Sequence, residues 1–571
     1  MEKCVACQGG GVQCASPPQP EGRSAAEKAA WQSIRIELEA SAPGGGLNMA
    51  HAAVTRHAHG PEKNRTALRW LSDEAGRREC SFAELECRSN RAANVFKHLG
   101  LAPGEVVATL CGRVPELYLS ALGALKAGAV YCGLFASHGP EPVLHRLVAG
   151  RAKVLMTTWR RYQKIRDLRP RLPYLTHILL IDDPQGRAPG LNRFSDLMAD
   201  ASDHFSIPFT DPQSPALLHF TSGTTGMPKG VCHVHEAALQ HLSTSRAVLD
   251  LSAPDVFWCT ADPGWVTGVV YGFLAPLMAG VTTIIDQEEF DVRRWLQILS
   301  EQRVSVWYTS PSAIRRLMTL PFRPCQAYDL KSLRRVFSVG EPLHAAAVHW
   351  GQEALGVPIR DTWWQTETGA IMIANHAGET LQAGAMGRPV DGIRAQVLRP
   401  ASAGGATGAC TPGEVGELAL AAGWPSMFRC LPGDAEAYQR RFAGKWYLSG
   451  DLVWRDVEGR FWFMGRADDM IKTAGHLVSP FEVESVLLEY PGVYEAGVKG
   501  VPDELLGQRV KAYVCLQPGI RADKRLSDRI MAFARQRLGS ALAPREIVFT
   551  TGMPKNQAGK IVRRQLLDGA R

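Results

Sequence analysis

Residues 217–235 read LLHFTSGTTGMPKGVCHVH. Leu217 to Phe220 form an apolar run that reads as a short buried strand. Ten residues follow, Thr221 to Gly230, that are almost all hydroxyls, glycines and one lysine. Glycines such as Gly223 and Gly226 let a backbone turn so that successive N–H groups face one concavity. Thr221, Ser222, Thr224 and Thr225 add hydroxyl donors, and Lys229 adds a point charge. A loop of this kind suits a polyphosphate. It is not the loop GxxxxGK[ST], because Gly230 rather than a hydroxyl residue follows the lysine. A plain polar surface loop is the bland alternative, and the ordered string TSGTTGxPKG argues against it.

On both sides of this stretch, strands and helices alternate. Val106 to Leu110 reads as a strand, Glu116 to Lys126 as a helix, Ala129 to Leu134 as a strand and Lys153 to Thr157 as another. The pattern continues through Phe257 to Thr260, Val304 to Tyr308 and Val336 to Val339. Such alternation predicts a mixed α/β fold with much parallel sheet. After Gly413 short strands dominate (416–420, 446–449, 461–464), which predicts a small β-barrel-like part. Residues 465–469, Gly-Arg-Ala-Asp-Asp, then interrupt with nothing apolar larger than alanine. Beyond them lie a helix, a strand pair and a second helix of their own. The predicted domains are therefore a large one over 46–465 and a small mobile α+β one over 466–571. Residues 1–45, rich in Gly, Pro, Ser and Ala, read as a disordered leader, with a short helix at Glu27 to Leu38 as an option.

A chain of 571 residues with 45% hydrophobic content is globular and too long for one core. Its net charge is +8, and Arg521 to Arg571 alone holds 12 Lys/Arg against 4 Asp/Glu. That tail suits a polyanion such as ATP, CoA or nucleic acid, or is simply a solvated basic helix. Thirteen cysteines without paired spacing read as reduced thiols, hence a cytoplasmic chain. Cys4 and Cys7 form a CxxC, but no fourth zinc ligand lies close to them and Cys14. The run Pro263 to Ile285 is long enough to span a bilayer. Its two prolines and four glycines favour a buried helix, a turn at Ala279-Gly280 and a strand, so no membrane contact is expected.

Four further blocks carry chemistry. Ser338-Val339-Gly340-Glu341-Pro342 ends a strand and offers a flat backbone shelf for an aromatic base. Asp361-Thr362-Trp363-Trp364-Gln365-Thr366-Glu367-Thr368-Gly369 joins aromatic surface to a hydroxyl and a carboxylate, and Glu367 is a hard oxygen ligand of the type Mg²⁺ takes. Asp451 follows Gly450 at a strand end, where it would accept two hydroxyl hydrogen bonds. Pro554 to Leu566, PKNQAGKIVRRQL, sets Lys560 behind a glycine turn. His233 and His235 alternate on a strand, which fits packing better than a metal site lacking a third ligand.

With TSGTTGMPKG, DTWWQTETG, YLSGD, GRADDMIK and PKNQAGKIVRRQL in this order, the chain resembles the adenylate-forming superfamily of acyl-CoA synthetases, luciferases and peptide-synthetase adenylation domains. CTADPGWVTG (259–268), SVGEPL and GWPSM (423–427) narrow the likeness to AMP-forming acetyl-CoA synthetases, over about Gly45 to Leu567. The resemblance implies an ATP-dependent acid–thiol ligase. Its co-substrates would be ATP and CoA, with Mg²⁺ and a short carboxylate, and neither nucleic acid nor membrane would be a partner. It places Thr221 to Gly226, Lys229, Gly340 to Pro342, Asp361 to Gln365, Asp451 and Arg466 on the nucleotide. It gives Lys560, Thr366 and Glu367 the catalytic roles, with Glu367 on the metal. Asp468 would be the hinge, and Ala474, Gly475 and Arg535 would meet CoA. Val266, Thr267, Val339 and Trp364 would line the acyl pocket, where an indole blocks long chains.

The same likeness leaves two alternatives. One is a propionyl or small branched-acyl synthetase. The other is a nucleotide-binding protein with impaired turnover, suggested by two departures. Leu477 stands where acetyl-CoA synthetases usually have arginine, and Asn556 and Ala558 replace the hydroxyls before Gly559-Lys560. Monomer and homodimer both stay open.

Overall fold

The computed structural model describes residues 29–183, 191–222, 228–320, 322–399, 408–473, 476–503, 505–555 and 561–566. Two largely parallel sheets lie at its centre. In the first, the strand order is 192–193, 177–180, 152–157, 106–110, 130–133, 215–222 and 228–234. Its neighbours run parallel until Pro215–Ser222 pairs antiparallel with Pro228–Val234. The second runs 388–389, 373–374, 359–363, 335–338, 306–309, 256–259, 282–286, 66–72 and 76–81, parallel from 359–363 through 66–72 and antiparallel at both edges. Strands covered on both faces need continuous apolar runs. Accordingly, every residue of Val106–Leu110, Val130–Gly133, Val306–Thr309 and Thr282–Asp286 is buried.

The mixed α/β class expected from the alternation is the class observed. Helix Phe82–His98 starts on a capping box, with Ser81 accepting from the Glu84 amide and Glu84 accepting from the Ser81 amide. The apolar run after Pro263 turns inward as three consecutive helical segments, Val266–Val269, Val270–Leu274 and Ala275–Met278. Gly280 then reverses the chain at φ +75° into the strand Thr282–Asp286. Among the described residues no helix is long and apolar enough to cross a membrane.

A third, antiparallel sheet joins 395–398, 416–421, 446–455 and 442–443, with 461–466 on the long strand. The fourth runs 476–478, 471–473, 507–516 and 493–503, with 546–549 beside 507–516. Helices Pro480–Leu488 and Lys524–Leu542 cover it around Val483, Leu487, Val498, Val514 and Ile530, a core of its own.

Two expectations are corrected. The folded chain does not begin near residue 46: Gln32–Ala40 is a helix whose Ile34 and Leu38, with Trp31 before it, are buried. Trp31 lies against Gly392, where a Cβ would come within 2.6 Å of its ring, and Arg35 pairs with Glu236 at 2.5 Å. Those apolar positions recur at helical spacing, so burial outweighs a composition that looked disordered. The phosphate-loop stretch is also shorter as a loop. Strand Pro215–Ser222 runs two residues past Phe220, and Thr221 pairs with Lys229 across a hairpin. Gly223, Thr224, Thr225 and Gly226 lie outside the described residues, as do residues 1–28.

Candidate active site

Three separate sequence blocks and the strand end at Arg466 meet in one cavity of about 180 Å³. Its walls are Gly340, Glu341 and Pro342, then Asp361 to Gln365, then Asp451 and Arg466, with Met386 and Phe463 completing it. All ten predicted nucleotide residues outside the phosphate loop are therefore brought together. The Gly340 and Asp361 blocks come from the carboxyl ends of two strands, and Arg466 ends Phe461–Arg466. Asp451 lies within strand Trp446–Arg455 rather than at the strand end expected, because the ladder with 461–466 continues past it. Arg335–Ser338 leads to Gly340 and Ile359–Trp363 leads to Gln365, adjacent in one parallel sheet, as is usual for ligand crevices of such sheets. Gly340 adopts φ +90° with nothing near its missing side chain, so the shelf is bare backbone. Glu341 does not face the cavity unpaired: Arg315 donates to it at 2.7 Å.

Asp451 is the hub of the polar side. One carboxylate oxygen accepts from the Trp363 indole at 2.9 Å and from Gln365 at 3.0 Å, and the other accepts from Arg466 at 3.0 Å. Burial works against the Arg466 charge, but the carboxylates of Asp451, Asp468 and Glu367 outweigh it and raise its pKa above the usual arginine value. Among the described residues no cation acts on Asp361. Burial pushes its carboxyl up to about 7, although the amides of Thr362 and Leu343 donate to it.

The turn carrying Thr366 and Glu367 is held by its carbonyls. The Glu367 carbonyl accepts from the Phe428 amide at 3.0 Å. The Thr368 carbonyl accepts from the Trp424 indole at 2.9 Å and the Ser426 hydroxyl at 2.8 Å. The Gly369 carbonyl meets His241 Nε2 at 3.0 Å. Gly369 is required there: its φ is +72°, and a Cβ would stand 2.1 Å from the Ser426 carbonyl. With the backbone tied inward, Thr366 and Glu367 stay half-buried at the surface of the turn. Glu367 accepts from Arg441 at 3.3 Å. Arg441, Trp424, Ser426 and His241 were not foreseen as site residues. Only the string GWPSM signalled two of them, and it gave no role.

Trp364 points the other way from Trp363. Its indole donates to Tyr308 at 3.1 Å, and its ring meets Tyr271 edge-on at 5.2 Å. Val266, Val339 and Trp364 are buried in one apolar cluster, and Thr267 lies half-buried beside Val266. His233 packs within strand Pro228–Val234, its Nδ1 3.0 Å from the Ser426 carbonyl. His235, expected on the same strand, lies in the turn just past it, its buried Nδ1 accepting from the Met49 amide at 3.1 Å. No group of three or more His, Cys, Asp or Glu among the described residues could hold a metal.

A second cavity, about 70 Å³, shares Glu341, Pro342, Phe463 and Arg466 with the first. Its far wall includes Phe481, Glu484, Ile561 and Arg563. Arg563 binds Glu484 at 2.8 Å and Asp469 at 3.0 Å. Asp468 is half-exposed in the turn after Phe461–Arg466 and lies 3.5 Å from Arg466. Lys560 lies outside the described residues, but Lys555 and Ile561, which flank its segment, bridge each other. Ala474 and Gly475 also lie outside them, between the paired Thr473 and His476. Arg535 is exposed on helix Lys524–Leu542 and lines neither cavity. Lys229, half-exposed, reaches Asp434 at 3.0 Å.

Residues 54–430 match the AMP-binding enzyme family, and residues 482–560 match the AMP-binding enzyme C-terminal domain. The chain belongs to the AMP-binding enzyme family. Among relatives of this AMP-binding enzyme, the acetyl-coenzyme A synthetase of Bacillus subtilis (strain 168) is 40% identical over 524 residues, 91% of this chain and 90% of that one. The acetyl-coenzyme A synthetase of Escherichia coli (strain K12) is 32% identical, over 91% and 83%. The anthranilate CoA ligase AuaEII in complex with anthranoyl-AMP superposes with a TM-score of 0.83 at 28% identity, over 91% of this chain and 96% of that one.

Proposed function

We propose that this AMP-binding enzyme is an AMP-forming acetate–CoA ligase. The observation that carries the reading is the convergence of the Gly340, Asp361 and Asp451 blocks on one cavity whose lining includes Trp364, held by Tyr308. The first half-reaction joins an acid carboxylate to the α-phosphorus of ATP and releases pyrophosphate. Adenine would lie against the Gly340–Pro342 shelf and Trp363, with the ribose hydroxyls on Asp451. The incoming carboxylate and the phosphates are both anionic, so the barrier is electrostatic. Thr366, the 221–230 loop and Lys560 supply donors and positive charge. Val266, Thr267, Val339 and Trp364 would hold a methyl group and little more.

Glu367 fits Mg²⁺, an ion that takes one or two protein carboxylates and borrows its other ligands from phosphates. When bound, the ion neutralises phosphate charge. In the second half-reaction the CoA thiol displaces AMP from the acyl group. We assign the chain from about Trp31 to Gly465 to the nucleotide- and acyl-binding domain and 466–571 to a mobile one that turns about Asp468, taking Lys560 out and bringing Ala474 and Gly475 to the thiol path. Every described cysteine is a free thiol, which supports a reducing cytoplasmic setting.

Lys560→Ala tests the reading. Acetate-dependent pyrophosphate release should vanish, while thioester formation from supplied acetyl-AMP and CoA persists. Equal loss of both halves would remove the role given to Lys560.

A further inference from the structure

Trp364 is held by a chain of hydrogen bonds whose direction can be worked out. The Thr362 hydroxyl donates to the Ser338 carbonyl at 2.7 Å. A hydroxyl has one proton to give. Thr362 therefore accepts in its 2.8 Å contact with the Tyr308 hydroxyl, and Tyr308 donates. With its own proton spent, the Tyr308 oxygen accepts from the Trp364 indole at 3.1 Å. The relay thus runs from the indole N–H through Tyr308 and Thr362 to the Ser338 carbonyl, with a single donor at each step. All of it is buried: Tyr308 and Ser338 are fully enclosed, Thr362 is 3% exposed and Trp364 8%. Tyr271 closes the other side, edge-on to both Tyr308 and Trp364 at 5.6 and 5.2 Å. The Tyr271 hydroxyl is itself fixed by the Ile371 amide at 3.0 Å and by Thr244 at 2.7 Å.

We infer that Tyr308 is the positioning residue that sets the acid chain-length limit, by fixing the indole of Trp364 across the end of the acyl pocket. The inference rests on the acetate reading above and deepens it. An indole packed only by apolar contacts would have other rotamers open to it. The bond to Tyr308 selects one, because turning the ring away would leave a buried N–H without an acceptor. The limit on chain length then depends on a residue that the acid never touches. The same relay ends where the adenine shelf begins, so the acyl wall and the nucleotide shelf are held by one set of bonds.

Tyr308→Phe removes the acceptor and keeps the ring. The expected result is that the preference for acetate over propionate and butyrate, as a ratio of kcat/KM, falls about tenfold, through gain on the longer acids as well as loss on acetate. Tyr271→Phe is the matched control: it deletes an equally buried hydroxyl but leaves the Trp364–Tyr308 bond in place, and its acid profile should stay that of the wild type. An unchanged profile in Tyr308→Phe overturns the inference, as does an equal change in both variants, which would report a loosened core. A second measurement needs no folded variant. In wild-type protein the Trp364 indole N–H should exchange slowly with solvent, and rapid exchange would overturn the relay. A wild-type chain that prefers a longer acid would instead overturn the acetate reading and this inference with it. A wild type that prefers acetate, with Tyr308→Phe unchanged, would overturn the inference alone.

Discussion

Replacing Asp451 with asparagine separates a nucleotide-binding role from a purely structural one. Asp451 is 4% exposed and accepts from Trp363, Gln365 and Arg466 at 2.9 to 3.0 Å. Asparagine keeps one acceptor, which the Trp363 and Gln365 donors would claim. Its amide NH₂ then faces the Arg466 guanidinium, donor against donor. Arg466 is a quarter exposed, so water offsets part of the loss, and the cost to folding should be about 1–3 kcal/mol. Binding is a separate term. A hydrogen bond to a charged acceptor contributes about 1.5–3 kcal/mol, so AMP affinity should fall roughly ten- to 150-fold. Isothermal titration with AMP and 2′-deoxy-AMP reads it directly. The wild type should lose affinity on removal of the 2′-hydroxyl, and Asp451→Asn should lose little more. If Asp451→Asn binds AMP within threefold of the wild type, Asp451 does not hold the ribose. If the variant still discriminates the deoxy ligand fully, another group reads the hydroxyl.

Three more perturbations follow from particular contacts. Gly369→Ala would set a Cβ 2.1 Å from the Ser426 carbonyl at φ +72°. It should cost at least about 2 kcal/mol and lower kcat/KM about 100-fold by shifting Thr366 and Glu367, as thermal melts and pyrophosphate release would show. Lys126, fully buried, pairs with Glu86 at 2.6 Å and with Asn90 at 2.6 Å. Lys126→Met strands the Glu86 charge and should cost about 3–5 kcal/mol in urea unfolding, much of it recovered by adding Glu86→Gln. Asp361 has its carboxyl raised to about 7 by burial, so the native state holds a proton that the unfolded chain releases near pH 4. Wild-type stability should therefore fall as pH rises from about 4 to 7, by up to about 1.4 kcal/mol per unit, and level off above. Asp361→Asn should lack that slope. A slope that persists in the variant would assign it to another group.

Much of the site was legible because its residues are consecutive. Asp361 to Gly369 and Gly450-Asp451 each place their residues within a few positions, and parallel strands carry the first and the Gly340 shelf to one edge, whereas 223–227 of TSGTTGMPKG lie outside the described residues. What supports them was not legible. Tyr308, Ser426, His241 and Arg441 act through partners 56, 58, 128 and 74 residues away, and apart from the string GWPSM around Ser426 nothing local marks them. Helix Gln32–Ala40 was half visible: Trp31, Ile34 and Leu38 recur at helical spacing, but Gly- and Pro-rich flanks masked them. The two strands at 215–234 outrun their apolar cores because a hairpin ladder pairs Thr221 and Ser222 whatever their polarity.

The most direct measurement is pyrophosphate release from MgATP across linear acids of two to eight carbons, with and without CoA. A chain in which Trp364 closes a methyl-sized pocket should show its highest kcat/KM with acetate, a reduced value with propionate and none beyond butyrate, with thioester formed only when CoA is present. A maximum at six or more carbons, or release that ignores the acid supplied, would contradict it.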